Sequence, residues 1–174
     1  TAFLALSQQI ASQFNSPGVA NELQDNLMEE KNHAAIYKKS LMKIGTDVEK
    51  RQIFAATEGF FNQIEALINY CPATTLGAMY ATETAAIFEH EVFWGISCEL
   101  MQRRELKWEG STLKAFHDLH LNGVEQHHKD GLGYFVDAHS TEIEKEKVFT
   151  GAMRAIGAME EWWQALLTTA KGMI

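Results

Sequence analysis

The feature that most restricts the fold is a helical hydrophobic repeat running from end to end, with only two prolines in 174 residues to interrupt it. Apolar residues recur at three- and four-residue spacing, and no stretch alternates as a half-buried strand must. A first helix is expected over residues 2 to about 14, ending at Asn15. Ser16-Pro17 then supplies an N-cap and a proline at the first helical position, where its missing N–H costs nothing. The second helix is expected to run to about Lys43, with Gly45 as its stop. Thr46 is read as the cap of a third, with Asp47 and Glu49 near its positive end and Phe54, Phe60, Phe61, Ile64, Leu67 and Ile68 as its buried stripe.

Pro72 punctuates the chain before a long helix from about Thr75 to Arg104. A connector around Trp108, Gly110 and Ser111 leads into a helix over Leu113 to His139. His139-Ser140-Thr141 marks the next boundary, and Thr141 with Glu144 forms a capping box. The last helix runs to about Ala170, its Trp162-Trp163 pair giving one ring to the core and one to the rim. Six helices joined by short loops describe a single all-α bundle over residues 1–174.

Charge and cysteine usage remove several function classes. Fifteen basic against 23 acidic side chains leave a formal charge of −8, without a basic patch for nucleic acid. No apolar run reaches the ~18 residues of a membrane span, and no signal-type leader is visible. Cys71 and Cys98 stand far apart and form no CxxC, usage that fits a reducing cytoplasm. The chain opens at Thr1, without methionine, directly in an apolar pattern, and is read as a fragment.

Histidine is concentrated in one place. His117, His120, His127, His128 and His139 fall between Leu113 and His139, five of the seven in the chain, with Glu125 among them. Neutral histidine is the commonest transition-metal ligand, and carboxylate is its usual companion at an oxygen-activating iron. On a helix Glu125 and His128 share a face at i, i+3, and His120, eight residues before His128, projects to nearly the same side. Spacing alone leaves a polar, solvated helix as the alternative.

Two other helices hold matching groups. Glu30 and His33 form an E-x-x-H pair, the pattern two-metal bundles use. Glu83 stands among Ala81, Ala85, Ala86 and Ile87, where a carboxylate is costly unless paired, protonated or metal-bound. His90 lies seven residues on, ~10 Å along the axis, too far to share one ion with Glu83 and better suited to the substrate pocket.

These segments resemble the heme-oxygenase-like diiron oxidases, which share a fold with heme oxygenase, TenA-type thiaminases and the PqqC oxidase, and within them the CADD-like proteins. The likeness lies in NLMEEKNH (Asn26 to His33), GAMYATET (Gly77 to Thr84) and FHDLHLNGVEQHH (Phe116 to His128), in the family's order. It implies a heme-oxygenase-like helical bundle lacking its first helix. It also implies metal ligands at Glu30, Glu83, Glu125 and His128, with His33 matching the fatty-acid decarboxylase branch. The CADD branch places that histidine seven residues after the glutamate, where this chain has Tyr37, so Tyr37 joins His90 as a pocket residue. His120 resembles the family's first histidine of the third segment, although one extra residue separates it from the acid, and that acid is Glu rather than Asp. His127 stays open as its alternative.

The resemblance implies an iron-dependent oxidase or oxygenase holding two iron ions, with manganese possible, and using O₂ on a small organic substrate. A metal-free TenA-type enzyme with Cys71 or Cys98 as nucleophile and a non-catalytic interaction protein are the other readings. The helix faces left open by a missing first helix suggest a homodimer.

Overall fold

The computed structural model describes residues 2–14, 16–138 and 142–173. Every regular element among them is helical: α1 (Ala2–Gln13), α2 (Pro17–Glu30), α3 (His33–Lys43), α4 (Ala55–Ile68), α5 (Pro72–Arg103), α6 (Thr112–Leu119), α7 (Glu125–Ala138) and α8 (Glu142–Lys171). A π-type segment, His120–Val124, joins α6 to α7 through a kink at Asn122 and Gly123. The all-α reading holds, but two of the six expected rods are each divided. The capping box expected at Thr141 and the boundary at His139 lie outside the described residues.

The departures have local causes. The expected second helix divides at Lys31-Asn32, where Asn32 sits at φ −106°, ψ −9°, a sparsely allowed region that interrupts the helical ladder. Thr46 does not open α4. Asp47 instead accepts a hydrogen bond from the Glu49 backbone N–H at 3.2 Å and pairs with Lys50 at 3.0 Å. Such local bonds compete with helix formation, so α4 begins only at Ala55. Gly45 does stop α3, at φ 83°, and Arg104 Nη1 holds that corner by donating to the Ile44 carbonyl and to Thr46 Oγ1. Pro72 occupies the first turn of α5 rather than a gap before it.

The long α5 is the axis of the bundle, with α8 and α7 packed along it and α4 against both α5 and α8. Two glycines permit the α5–α8 crossing. A Cβ on Gly77 would overlap the Val148 carbonyl, and one on Gly151 would overlap that of Thr74. The main core gathers Ile10, Val19, Ile64, Ile68, Leu76 and Leu132, with Phe60 and Phe61 against it. Each such side chain contributes on the order of 1.5–3 kcal/mol on burial. A smaller cluster of Ile44, Met101 and Leu113 closes the other end under Tyr37 and Trp108. Both tryptophans of the α8 pair are half-buried and hydrogen-bonded, Trp162 to Thr57 and Trp163 to Glu89. No described helix is long and apolar enough to cross a membrane.

Candidate metal centre

Four helices and the π segment aim polar side chains at one buried point. The end of α2 contributes Asn26, Glu29 and Glu30, and His33 opens α3 across the Lys31-Asn32 break. Glu30 and His33 are therefore not on one continuous helix. They still meet, with Glu30 Oε1 2.8 Å from His33 Nδ1. From α5 come Glu83, 6% exposed, and His90, half-buried two turns later.

The π segment explains how His120 and Glu125 converge despite the extra residue between them. On a continuous α-helix five residues rotate by about 500°, which would set the two side chains roughly 140° apart. The chain kinks at Asn122 and Gly123, whose backbone angles are non-helical, and this break in the helical ladder absorbs the additional residue. Gly123, at φ 120° and ψ −3°, provides the backbone conformation that closes it. His120, Glu125 and His128 all end up buried, whereas His127 points outward and is exposed. Between the two alternatives, His120 is the one that reaches the site.

Three groups of donors result: Glu30, His33 and His120; His90, His120 and Glu125; and Glu83, Glu125 and His128. Within each group the candidate ligand atoms lie within 4.8 Å of one another. His120 belongs to the first two groups and Glu125 to the last two. His33 Nδ1 and His120 Nε2 are 3.1 Å apart, Glu125 Oε1 is 3.2 Å from His90 Nε2, and Glu83 Oε2 is 3.5 Å from His128 Nδ1. Adjacent donors each ~2.1 Å from one ion sit about 3.0 Å apart, so these separations suit shared ions. His120 Nδ1 donates to the Phe116 carbonyl at 2.8 Å, which leaves Nε2 with a lone pair facing the other donors.

The site's protonation follows from burial working against these contacts. Burial raises the Glu83 carboxyl above its ordinary range, with the His128 contact opposing the rise. Glu30 is raised for the same reason, with His33 opposing. For Glu125 burial also acts upward, but the His90 hydrogen bond and the charges of His90, His120 and His128 outweigh it and lower the carboxyl. Burial disfavours the His128 imidazolium, yet Glu83 and Glu29 together push it up to about 9. His120 and His117 go the other way, each lowered by burial to about 4.

The donor set fits transition-metal ions. It mixes imidazole nitrogen with carboxylate oxygen, the combination used by non-heme iron. Moreover, His128 Nδ1 is buried without a hydrogen-bond partner, an expensive state that a metal bond would relieve. The donors Glu30, Glu83 and Glu125 line a cavity of about 240 Å³ whose wall also includes Phe60, Phe61, Met159 and His90. His90 lines this cavity and also joins a donor group, reaching partners on the π segment and α7 rather than Glu83. Tyr37 is outside this lining. It stacks on Phe116 at 4.7 Å and meets His117 edge-on. His117, whose Nε2 is 2.8 Å from Ser97 Oγ, belongs to that packing layer. Larger open clefts near Phe54 and near Ile53 contain no histidine.

Two further polar residues that touch the site, one at its edge and one buried, do not stand out in the sequence. Glu29 Oε2 lies 3.0 Å from His128 Nε2. Asn26 is buried with its side-chain nitrogen unpartnered, in a small crevice beside Glu30 and Glu83. Their spacing carries a usable signal, since Asn26, Glu29, Glu30 and His33 fall at i, i+3, i+4 and i+7.

The bundle and its buried His/Glu cluster place the chain among all-α CADD-like folds. Two crystal structures of a CADD-like protein of unknown function from Nostoc punctiforme superimpose on it. One is 27% identical with a TM-score of 0.79, covering 97% of this chain and 74% of the other. The second is 26% identical with a TM-score of 0.77, covering 98% and 73%. Residues 1–169 match the family described as a domain of unknown function with a solved structure (DUF3865), and the chain belongs to that family. No curated protein matches it.

Proposed function

We propose that this protein is a non-heme iron-dependent oxidase or oxygenase, holding two iron ions and using O₂ to oxidise a small organic substrate. Manganese is the alternative metal. The observation that supports this reading is the overlap of the three donor groups through His120 and Glu125, which suits a pair of ions rather than a single one. A bound iron pair would supply the redox chemistry with O₂.

The chain supplies placement and protection. Glu30, His33 and His120 would hold one ion, and Glu83, Glu125 and His128 the other, with His90 within reach of Glu125. The Phe116 carbonyl fixes the His120 tautomer, and His128 would offer Nδ1, free of its proton, to an ion. Phe60, Phe61 and Met159 offer the apolar part of a substrate an apolar wall beside the carboxylates. The cysteine-based alternative lacks a comparable arrangement. Cys71 caps α5 about 18 Å along the helix axis from Glu83, and Cys98 lies about 22 Å beyond it in the other direction.

The test is O₂ uptake after anaerobic loading with Fe(II) and removal of free metal. Uptake in proportion to protein-bound iron supports the assignment. Bound iron that consumes O₂ no faster than a buffer control contradicts it.

A further inference from the structure

Glu29 is half-exposed on the last turn of α2, and its carboxylate lies 3.0 Å from Nε2 of the fully buried His128. The two residues are 99 positions apart in the chain, so the α2–α7 packing sets this contact, not local geometry. The other ring nitrogen, Nδ1, is buried, lacks a hydrogen-bond partner and faces Glu83 Oε2 at 3.5 Å. His128 thus has one nitrogen satisfied by a carboxylate at the site's edge and one turned into the donor group. A neutral imidazole has a single N–H, and the partner of one nitrogen decides which atom carries it.

We infer that Glu29 is a positioning residue that accepts the Nε2–H of His128, fixes the ring and leaves Nδ1 as the metal-ligating atom. This rests on the metal-centre reading above and adds to it both the ligating atom and the group that selects it. Glu29 touches no reacting group. It acts through His128, in the way carboxylates commonly orient metal-bound histidines, where loss of the partner weakens metal affinity by roughly 10–100-fold. Glu30, its neighbour, does different work by facing His33.

Cobalt(II) is a suitable probe, because its visible absorption reports ligation in the absence of any turnover. Wild type, Glu29→Ala and Glu29→Gln are titrated with Co(II), and thermal unfolding of each metal-free protein is recorded alongside. The expected result is a roughly 10–100-fold weaker Co(II) affinity for Glu29→Ala, whose metal-free unfolding remains a single cooperative transition. Glu29→Gln, whose side-chain carbonyl still accepts the Nε2–H, should recover most of the affinity. Equal affinity in wild type and Glu29→Ala overturns the inference while leaving the metal centre intact. So does a Glu29→Gln variant as impaired as Glu29→Ala, since charge rather than orientation would then be responsible. Wild type that binds no Co(II) defeats the underlying metal reading instead. Independently of any variant, long-range ¹H–¹⁵N NMR of the Zn(II)-loaded wild type should show His128 protonated at Nε2 and metal-bound at Nδ1; the opposite assignment overturns the inference.

Discussion

Replacing Glu83 with glutamine separates a metal ligand from a structural ion pair. The carboxylate is 6% exposed and its Oε2 is 3.5 Å from His128 Nδ1. At an effective dielectric constant of about 20, that separation gives a gross attraction of about 5 kcal/mol. Against it stands the desolvation of two buried ions, several kcal/mol for each, so the pair contributes little net stability without metal. Glutamine keeps the volume and one carbonyl acceptor. The metal-free variant should therefore remain within about 1 kcal/mol of wild type, which for a chain of this size is a shift of no more than about 4 °C in Tm. Metal binding should respond far more. A neutral amide cannot offset the charge of an ion, so iron retained after desalting should fall well below the wild-type level. The assay is paired: iron content and Tm for wild type and Glu83→Gln, each with and without chelator. Unchanged iron content with a Tm lowered by about 6–20 °C, the signature of a broken buried pair worth roughly 3–5 kcal/mol, refutes the reasoning.

The metal-free protein should have a stability optimum near neutral pH. His128, at about 9 when folded, favours the folded state below its unfolded value of about 6.5; the burial cost of Glu83 offsets that gain in the pair's net stability near neutral pH, and the gain is lost as pH rises through 9. His117 and His120, each at about 4, act oppositely: the unfolded chain takes up protons that they refuse, so about 3 kcal/mol per residue is lost as pH falls from 6.5 to 4. Denaturant unfolding in the presence of EDTA should show decline on both sides, and a profile that is flat from pH 5 to 9 contradicts the site's electrostatics. Gly123→Ala adds a Cβ that meets open space, so its cost is backbone strain at φ 120°, about 1–3 kcal/mol. It should lower Tm and weaken Co(II) binding by shifting His120 against Glu125; wild-type values for both would show that the π segment does not depend on this glycine. Gly151→Ala drives a Cβ into the Thr74 carbonyl and should lower the unfolding free energy by about 1–3 kcal/mol or more, with an unchanged denaturation midpoint disproving the close α5–α8 approach.

The sequence made the helices legible because their apolar periodicity is strong and prolines and Gly45 mark their ends. The site was legible where ligand types cluster locally, as at Glu30 and His33 or Glu125 and His128, and where Glu83 interrupts an apolar face. What escaped was set by distant packing. Helical spacing relates His90 only to Glu83 on its own helix, whereas its partners come from the π segment and α7. Glu29 gains meaning only when α7 brings His128 beside it. The π segment did leave a trace, the extra residue before Glu125 together with the turn-prone Asn122-Gly123 pair. Helical spacing alone treats such a residue as misregistration, while the observed backbone absorbs it. The start of α4 was misplaced for a related reason, since Asp47 can cap a helix or close a local turn, and tertiary contacts at Arg104 accompany the second outcome.

The most direct test of the central claim is the number of iron ions retained per chain after anaerobic Fe(II) loading and desalting, measured by elemental analysis with protein concentration from amino-acid analysis. The arrangement of Glu30, His33 and His120 beside Glu83, Glu125 and His128 predicts two. A chain that retains no iron, and no manganese under the same treatment, contradicts the metal centre.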